Sequence, residues 1–280
     1  MDPAKLDAGV ALWRSRGFEV VVGDDLLARR GYLAGDDARR ARELSQLILA
    51  PEIDAVVCAR GGYGCDRILA ALDPQAFRDA RKPLVGFSDV TTLLLWQRRC
   101  AGLTGFHGPM LEWGGELDPA AFDDLIQQLR GRAPTERSLH GRGRGGGRAS
   151  GRLIGGNLVL VTASLATPWE VDTRGAILLI EEVGEPPYRI DRMLRQLLAA
   201  GKLAQLAGLG VGQLVGCEDA RYPEPGAREV IEEVAAALGL PLVVDLPFGH
   251  VKHNRAWPEG ARATIDAERG ELRILERGVV

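Results

Sequence analysis

The chain is short of the residues that metal, export and membrane chemistry would need. Four of its 280 residues are cysteine (Cys58, Cys65, Cys100 and Cys217), and no two are spaced as C-x-x-C. That argues against a structural zinc site. A disulfide framework is not expected in so long a chain without an export signal. Cys58 and Cys65 read as small buried apolar residues. No apolar run reaches membrane-spanning length. The opening MDPAKLDAGV lacks the basic start and apolar stretch of a signal peptide. Neither sign of charge dominates. Thirty-five Lys and Arg face 38 Asp and Glu, a net charge of −3, so nothing draws the whole chain toward nucleic acid or an anionic membrane. No internal repeat is visible. The glycines at 210 and 212 do not have the G-x-G-x-x-G spacing of a dinucleotide site.

What is present is a core. Apolar residues are 46% and charged residues 26%, as in a soluble globular protein, and the length suits one large domain or two ordinary ones. Leu6, Val10 and Trp13 share one face of a helix that Gly17 can end. Phe18–Val22 reads as a short strand. Asp36 or Asp37 can cap a helix running to about Leu49. Asp54–Ala59 reads as a buried strand, Cys65–Leu72 as a helix, Gly102–His107 as a strand and Pro119–Leu129 as a helix. Strands alternating with helices predict a parallel, doubly wound sheet, with ligands beyond the carboxyl ends of the strands. Arg60–Gly64 and Gly86–Asp89 both fall at such ends.

Residues 133–152 differ in character. They contain GRGRGGGRASGR, basic and glycine-rich, without interleaved aromatic residues to stack on bases. The stretch reads as a solvated linker between an N-terminal unit, 1–132, and a C-terminal unit, 153–280. In the second unit Ala176–Ile180 is a strand ending in Glu181-Glu182. Ile190–Ala200 and Ala227–Leu238 are helices. Leu209–Val215 and Leu242–Asp245 are strands, and Arg262–Asp266 with Glu271–Leu275 makes a closing hairpin.

The chain is organised around Pro83–Leu95, PLVGFSDVTTLLL. A short apolar strand breaks at Gly86-Phe87-Ser88-Asp89 and resumes as a helix. Ser88 there can cap the helix. It can also be a nucleophile on a sharp strand-to-helix turn, beside the free N–H groups of a helix N-terminus. A serine nucleophile needs a base, and a histidine base works best with a carboxylate behind it. Of four histidines, His140 lies in the expected linker, and His107 in GFHGP can be structural. His250 follows Pro247-Phe248-Gly249 in a tight turn. His253, three residues on, completes a His-x-x-His pair with no third ligand nearby. Ser88, one of Glu181 and Glu182, and His250 can form a triad in the order Ser, acid, His.

ARGGYG at Ala59–Gly64, GFSD at Gly86–Asp89, GGN at Gly155–Asn157, EEVGEPPYRIDRML at Glu181–Leu194 and PFGH at Pro247–His250 occur in this order. Together they closely resemble the LD-carboxypeptidase family, the S66 serine peptidases, over nearly the whole chain outside the expected linker. The resemblance implies Ser88 as nucleophile, His250 as base and Glu181 as the orienting acid. It implies an oxyanion hole of the Gly62 and Asp89 backbone N–H groups, with Gly61 and Asn157 against the substrate. It implies no cofactor and no metal. The implied fold is α/β: a flavodoxin-like, parallel-sheet N-terminal domain and a smaller, swivelling β/α C-terminal domain, with the site between them. The family usually opens with a strand before the first helix. This chain opens at that helix, so the sheet is expected to be one strand short, or the start to lie downstream of the true one.

The implied activity is removal of terminal D-alanine from murein tetrapeptide by a cytoplasmic, homodimeric enzyme of peptidoglycan recycling, with no nucleic-acid or membrane partner. The sister activity, hydrolysis of peptidyl- or aminoacyl-nucleotide antibiotics by microcin-immunity carboxypeptidases, would use the same triad. An α/β-hydrolase esterase shares the residue order, but Ser88 is followed by Asp89-Val90 and the G-x-S-x-G elbow is not met. A two-domain ligand-binding protein could use the same cleft without chemistry.

Overall fold

A computed structural model of the chain describes residues 1–113 and 116–279. Asp2 caps the first helix, α1 (Pro3–Ser15), its side chain accepting from the Ala4 N–H at 2.9 Å, and Pro3 starts it where no N–H is needed. Asp36 caps α2 (Asp37–Leu49) in the same way, and buried Ala41, Leu44 and Ile48 mark its inner face. Then come β1 (Val56–Val57), α3 (Pro74–Ala80), β2 (Leu84–Gly86), α4 (Thr91–Trp96), β3 (Phe106–His107) and α5 (Pro119–Leu129). The second half contributes β4 (Arg137–His140), β5 (Arg142–Arg144), β6 (Arg148–Asn157), α6 (Leu158–Ala163), β7 (Ile177–Val183), α7 (Pro187–Ala199), β8 (Gly208–Val215), α8 (Ala227–Ala237), β9 (Leu242–Val244), β10 (Trp257–Pro258), β11 (Arg262–Asp266) and β12 (Glu271–Ile274). No described helix is long and apolar enough to cross a membrane.

Among the described residues two sheets result, as the alternation of strands and helices requires. In the first, β1, β2 and β3 are parallel neighbours. Leu84 and Val85 point to opposite faces and enter separate cores, one with Phe77 and Leu93, the other with Trp13 and Phe122. The second sheet runs β4-β12-β11-β6-β7-β8-β9-β5, parallel from β6 through β9 and antiparallel at both flanks. Along β7, Leu178 and Ile180 pack under α7 and α8, while Ile177 and Leu179 face Val243, Ile265 and Leu272.

Three expectations change. Residues 133–152 are no linker: they supply β4, β5 and the start of β6, and make the C-terminal sheet the larger of the two. The glycines serve close approach, since a side chain on Gly141 would collide with the Val244 carbonyl and one on Gly143 with that of Ala267. The arginines serve pairing: Arg142 with Asp245, and Arg144 with Glu232 at 2.9 Å. Phe18–Val22 joins no strand among the described residues, and Phe18 packs edge-on against Trp13 instead. Cys65–Leu72 is a tight 3₁₀ segment over Asp66–Ala71, not an α-helix.

The halves are also interlocked. β10, from the C-terminal half, pairs antiparallel with β3, so the first sheet reads β1-β2-β3-β10. Thr91, fully buried at the start of α4, accepts the Asn157 N–H from the end of β6 at 3.1 Å.

Candidate active site

Ser88 is held in a left-handed backbone conformation, φ +62°, between β2 and α4. A non-glycine residue there is strained, by on the order of 1–3 kcal/mol, and persists only where its surroundings enforce it. Here β2 is wholly buried before it and α4 wholly buried after it, so the half-exposed serine sits at a forced corner. The first turn of the helix leaves N–H groups without intrahelical partners beside the hydroxyl.

The loop after β1 lies against this corner. A Cβ on Gly61 would fall 2.9 Å from Ser88 Cβ and 3.0 Å from its Oγ, so the main chain of Gly61 can approach only because it has no side chain. Gly62, at φ +116°, is exposed next to it. The buried Asp89 fastens the two segments: its Oδ2 accepts the Cys65 N–H at 2.9 Å. Burial, then the nearby Asp89 charge, pushes the Cys58 thiol up to about 12, so it stays protonated and inert.

The other wall comes from the C-terminal sheet. Glu181, at 0% exposure, places Oε2 2.7 Å from Nδ1 of His250, whose side chain is 16% exposed. With a carboxylate there, Nδ1 carries the proton and Nε2 is left free to accept one. The ladder between β7 and β8 slips at this point: Ile180 opposes Val211, and Glu182 opposes Leu214. Such an irregularity re-aims the side chains beside it. A Cβ on Gly249 would stand 3.1 Å from Glu181 Oε2, so glycine lets the turn carrying His250 close onto the carboxylate.

Adjacent Glu182 faces elsewhere, accepting from Asn157 Nδ2 at 2.8 Å, Val159 N at 3.0 Å and Val183 N at 2.9 Å. Burial raises its carboxyl group above the ordinary value, and these hydrogen bonds oppose the rise. Of the two acids the sequence leaves open, Glu181 is therefore the one bonded to histidine. Asn157, expected against substrate, is 3% exposed and engaged at both ends of its amide, with Glu182 and with the Leu160 N–H that it caps. It braces the site from behind.

No hydrogen bond joins the Ser88 hydroxyl to His250 among the described residues; the two approach through Phe87. Its ring lies edge-on to the His250 imidazole, centroids 4.8 Å apart. Catalytic hydrogen bonds commonly tighten only when substrate is bound. Behind Phe87, His107 is fully buried and stacks on Trp257 at 5.0 Å. Burial, with the charge of His250 adding to it, pushes its imidazole down to about 3, so it remains neutral and serves packing.

Sequence reasoning missed Phe87, Trp257 and Asn254. Asn254 Oδ1 accepts the Gly249 N–H at 3.0 Å and pins the turn. The asparagine four residues after His250 was the available signal. His253 is exposed and His140 lies on β4. Among the described residues no group of three or more His, Cys, Asp or Glu side chains converges to hold a metal.

The arrangement can support attack by an activated serine on an acyl carbon. Comparison with known proteins finds carboxypeptidases. The family model described as LD-carboxypeptidase N-terminal domain matches residues 1–108, and the model of the LD-carboxypeptidase C-terminal domain matches residues 150–265. A putative carboxypeptidase of Synechocystis is 40% identical over 275 residues, covering 97% of this chain and 89% of the relative. The murein tetrapeptide carboxypeptidase of Pseudomonas aeruginosa is 35% identical over 275 residues, covering 94% and 89%. The crystal structure of muramoyltetrapeptide carboxypeptidase from Oxalobacter formigenes superposes with a TM-score of 0.88 at 28% identity, covering 98% of this chain and 95% of that one.

Proposed function

The chain belongs to the LD-carboxypeptidase family, and from that premise we propose that it hydrolyses the L–D peptide bond of murein tetrapeptide and releases terminal D-alanine. The observation that carries the mechanism is the 2.7 Å contact between buried Glu181 and His250, across Phe87 from the strained Ser88. Ser88 Oγ attacks the scissile carbonyl while His250 Nε2 takes its proton. Glu181 holds the imidazole in the required tautomer and stabilises it once charged. The oxyanion is received by the backbone N–H groups of Gly62 and Asp89, which need no reorganisation as charge develops. His250 then returns the proton to the leaving D-alanine, and water hydrolyses the acyl-enzyme by the same route in reverse. No metal or cofactor enters these steps. The reading extends to a cytoplasmic, homodimeric enzyme of peptidoglycan recycling.

Alanine release from four peptides at matched concentration tests the proposal. The L–D tetrapeptide is expected to be cut rapidly. Its C-terminal amide, its L-alanine diastereomer and the D–D pentapeptide are expected to be cut far more slowly, because each unpairs or misplaces a group at Ser88. Equal rates on the diastereomer would reject the assignment. Turnover of an aminoacyl-sulfamoyl adenylate alone would favour the microcin-immunity activity.

A further inference from the structure

We propose that Arg60 receives the free terminal carboxylate of the substrate and so makes the enzyme an exopeptidase; this rests on the carboxypeptidase reading above. Arg60 lies three residues beyond β1 and opens the loop whose next residue, Gly61, lies against the Ser88 hydroxyl. Its guanidinium reaches back over that loop: Nη2, Nε and Cζ lie 3.6, 3.8 and 3.9 Å from where a Cβ on Gly62 would stand. A cation therefore sits on the rim of the proposed oxyanion site, one residue from the nucleophile's neighbour.

That guanidinium is also available. Its neighbours around the loop are engaged: Arg40 donates to Asp37 and to the Gly64 carbonyl, and Arg67 donates to Asp37. Arg255, beyond His250, donates to the Ala120 carbonyl. Among the described residues Arg60 donates no hydrogen bond. Its one ionic neighbour among the described residues is Glu112, whose Oε2 lies 3.7 Å from Nε, beyond hydrogen-bond range, with the arginine side chain 46% exposed. Glu112 is itself fixed to the segment that leads from β1 to Arg60, donating its N–H to the Ala59 carbonyl at 3.0 Å. The acid thus steadies the Nε edge and leaves the two terminal nitrogens open as a fork. Such a fork matches a carboxylate with two parallel hydrogen bonds. Lys252, exposed on the turn that carries His250, offers only a point charge.

The test compares wild type, Arg60→Ala, Arg60→Lys and Lys252→Ala on the L–D tetrapeptide and on its C-terminal amide. Arg60→Ala should raise KM for the acid by about 10–100-fold, leave kcat/KM for the amide unchanged, and so collapse the acid-over-amide preference. Arg60→Lys should keep an intermediate preference, and Lys252→Ala the wild-type one. An Arg60→Ala enzyme that still prefers the acid, or a Lys252→Ala enzyme that has lost the preference, overturns this inference while the carboxypeptidase reading stands. Wild-type activity confined to an aminoacyl-sulfamoyl adenylate, which has no terminal carboxylate, overturns both.

Discussion

The ring of Phe87 stands against the imidazole of His250 with their planes at 65°, and so couples the residue before Ser88 to a histidine 163 positions later in the chain. The two follow strands of different sheets, β2 and β9. The contact sets the spacing between nucleophile and base through an apolar surface, which substrate binding does not have to displace.

Replacing Ser88 separates stability from activity. Ser88→Ala should fold and lose several orders of magnitude in kcat. Ser88→Gly should be equally inactive, yet more stable than Ser88→Ala by about 0.5–1 kcal/mol, because glycine tolerates the φ of +62° found here. Thermal midpoints and D-alanine release from both proteins check this. Full activity in either rejects the triad.

The two adjacent glutamates should respond in opposite ways. Glu181→Gln removes the charge behind His250 and should lower kcat by about two to four orders of magnitude. Glu182→Gln should keep most activity but unfold earlier. A glutamine amide cannot accept from Asn157, Val159 and Val183 together, and the unpaired group costs about 1–3 kcal/mol. Paired kinetics and urea unfolding decide, and a larger kinetic loss at Glu182 would exchange the two roles.

Gly61→Ala should cut kcat/KM by about 100-fold with little effect on folding, because the new methyl group can be accommodated only by moving Ser88 or the loop. The measurement is tetrapeptide turnover alongside a circular-dichroism melt.

Stability should depend on pH through Glu259, between β10 and β11. Burial pushes this carboxyl up to about 8, outweighing the backbone of Gly155 and the Arg98 guanidinium, which both pull it down. The folded state therefore keeps a proton that the unfolded state releases near pH 4.5. Between these values the native state binds more protons, so this group's contribution to stability declines as pH rises and levels off above about 8. Glu259→Gln should flatten that slope and gain most over wild type at pH 8, as read from urea midpoints at pH 5 and pH 8.

Much of this was legible because local chemistry agreed with the tertiary context. Pro119–Leu129 is the helix that its cap and apolar spacing predict, with Asp118 accepting from the Ala121 N–H. The closing hairpin pairs Asp266 with Glu271 around Arg269-Gly270, as its turn requires. The serine corner was visible as a broken apolar run. The errors came where partners are distant. Glycine and arginine in 141–152 look like a flexible tether until Val244, Ala267, Glu232 and Asp245 are seen opposite them. The hydrogen bond between Asn157 and Glu182 was likewise not legible, because no local signal pairs residues 25 positions apart. Trp257-Pro258 is too short to announce itself as a strand, and its partner, β3, lies 150 residues back.

That short strand has a consequence for how the protein is made. A ribosome releases the whole first half, with β1, β2 and β3, well before Trp257 exists. Until then β3 is an open edge, free to recruit another nascent chain. The N-terminal sheet is completed only when Trp257 and Pro258 have been synthesised, after His250, so the half that carries the nucleophile cannot finish folding ahead of the turn that carries the base.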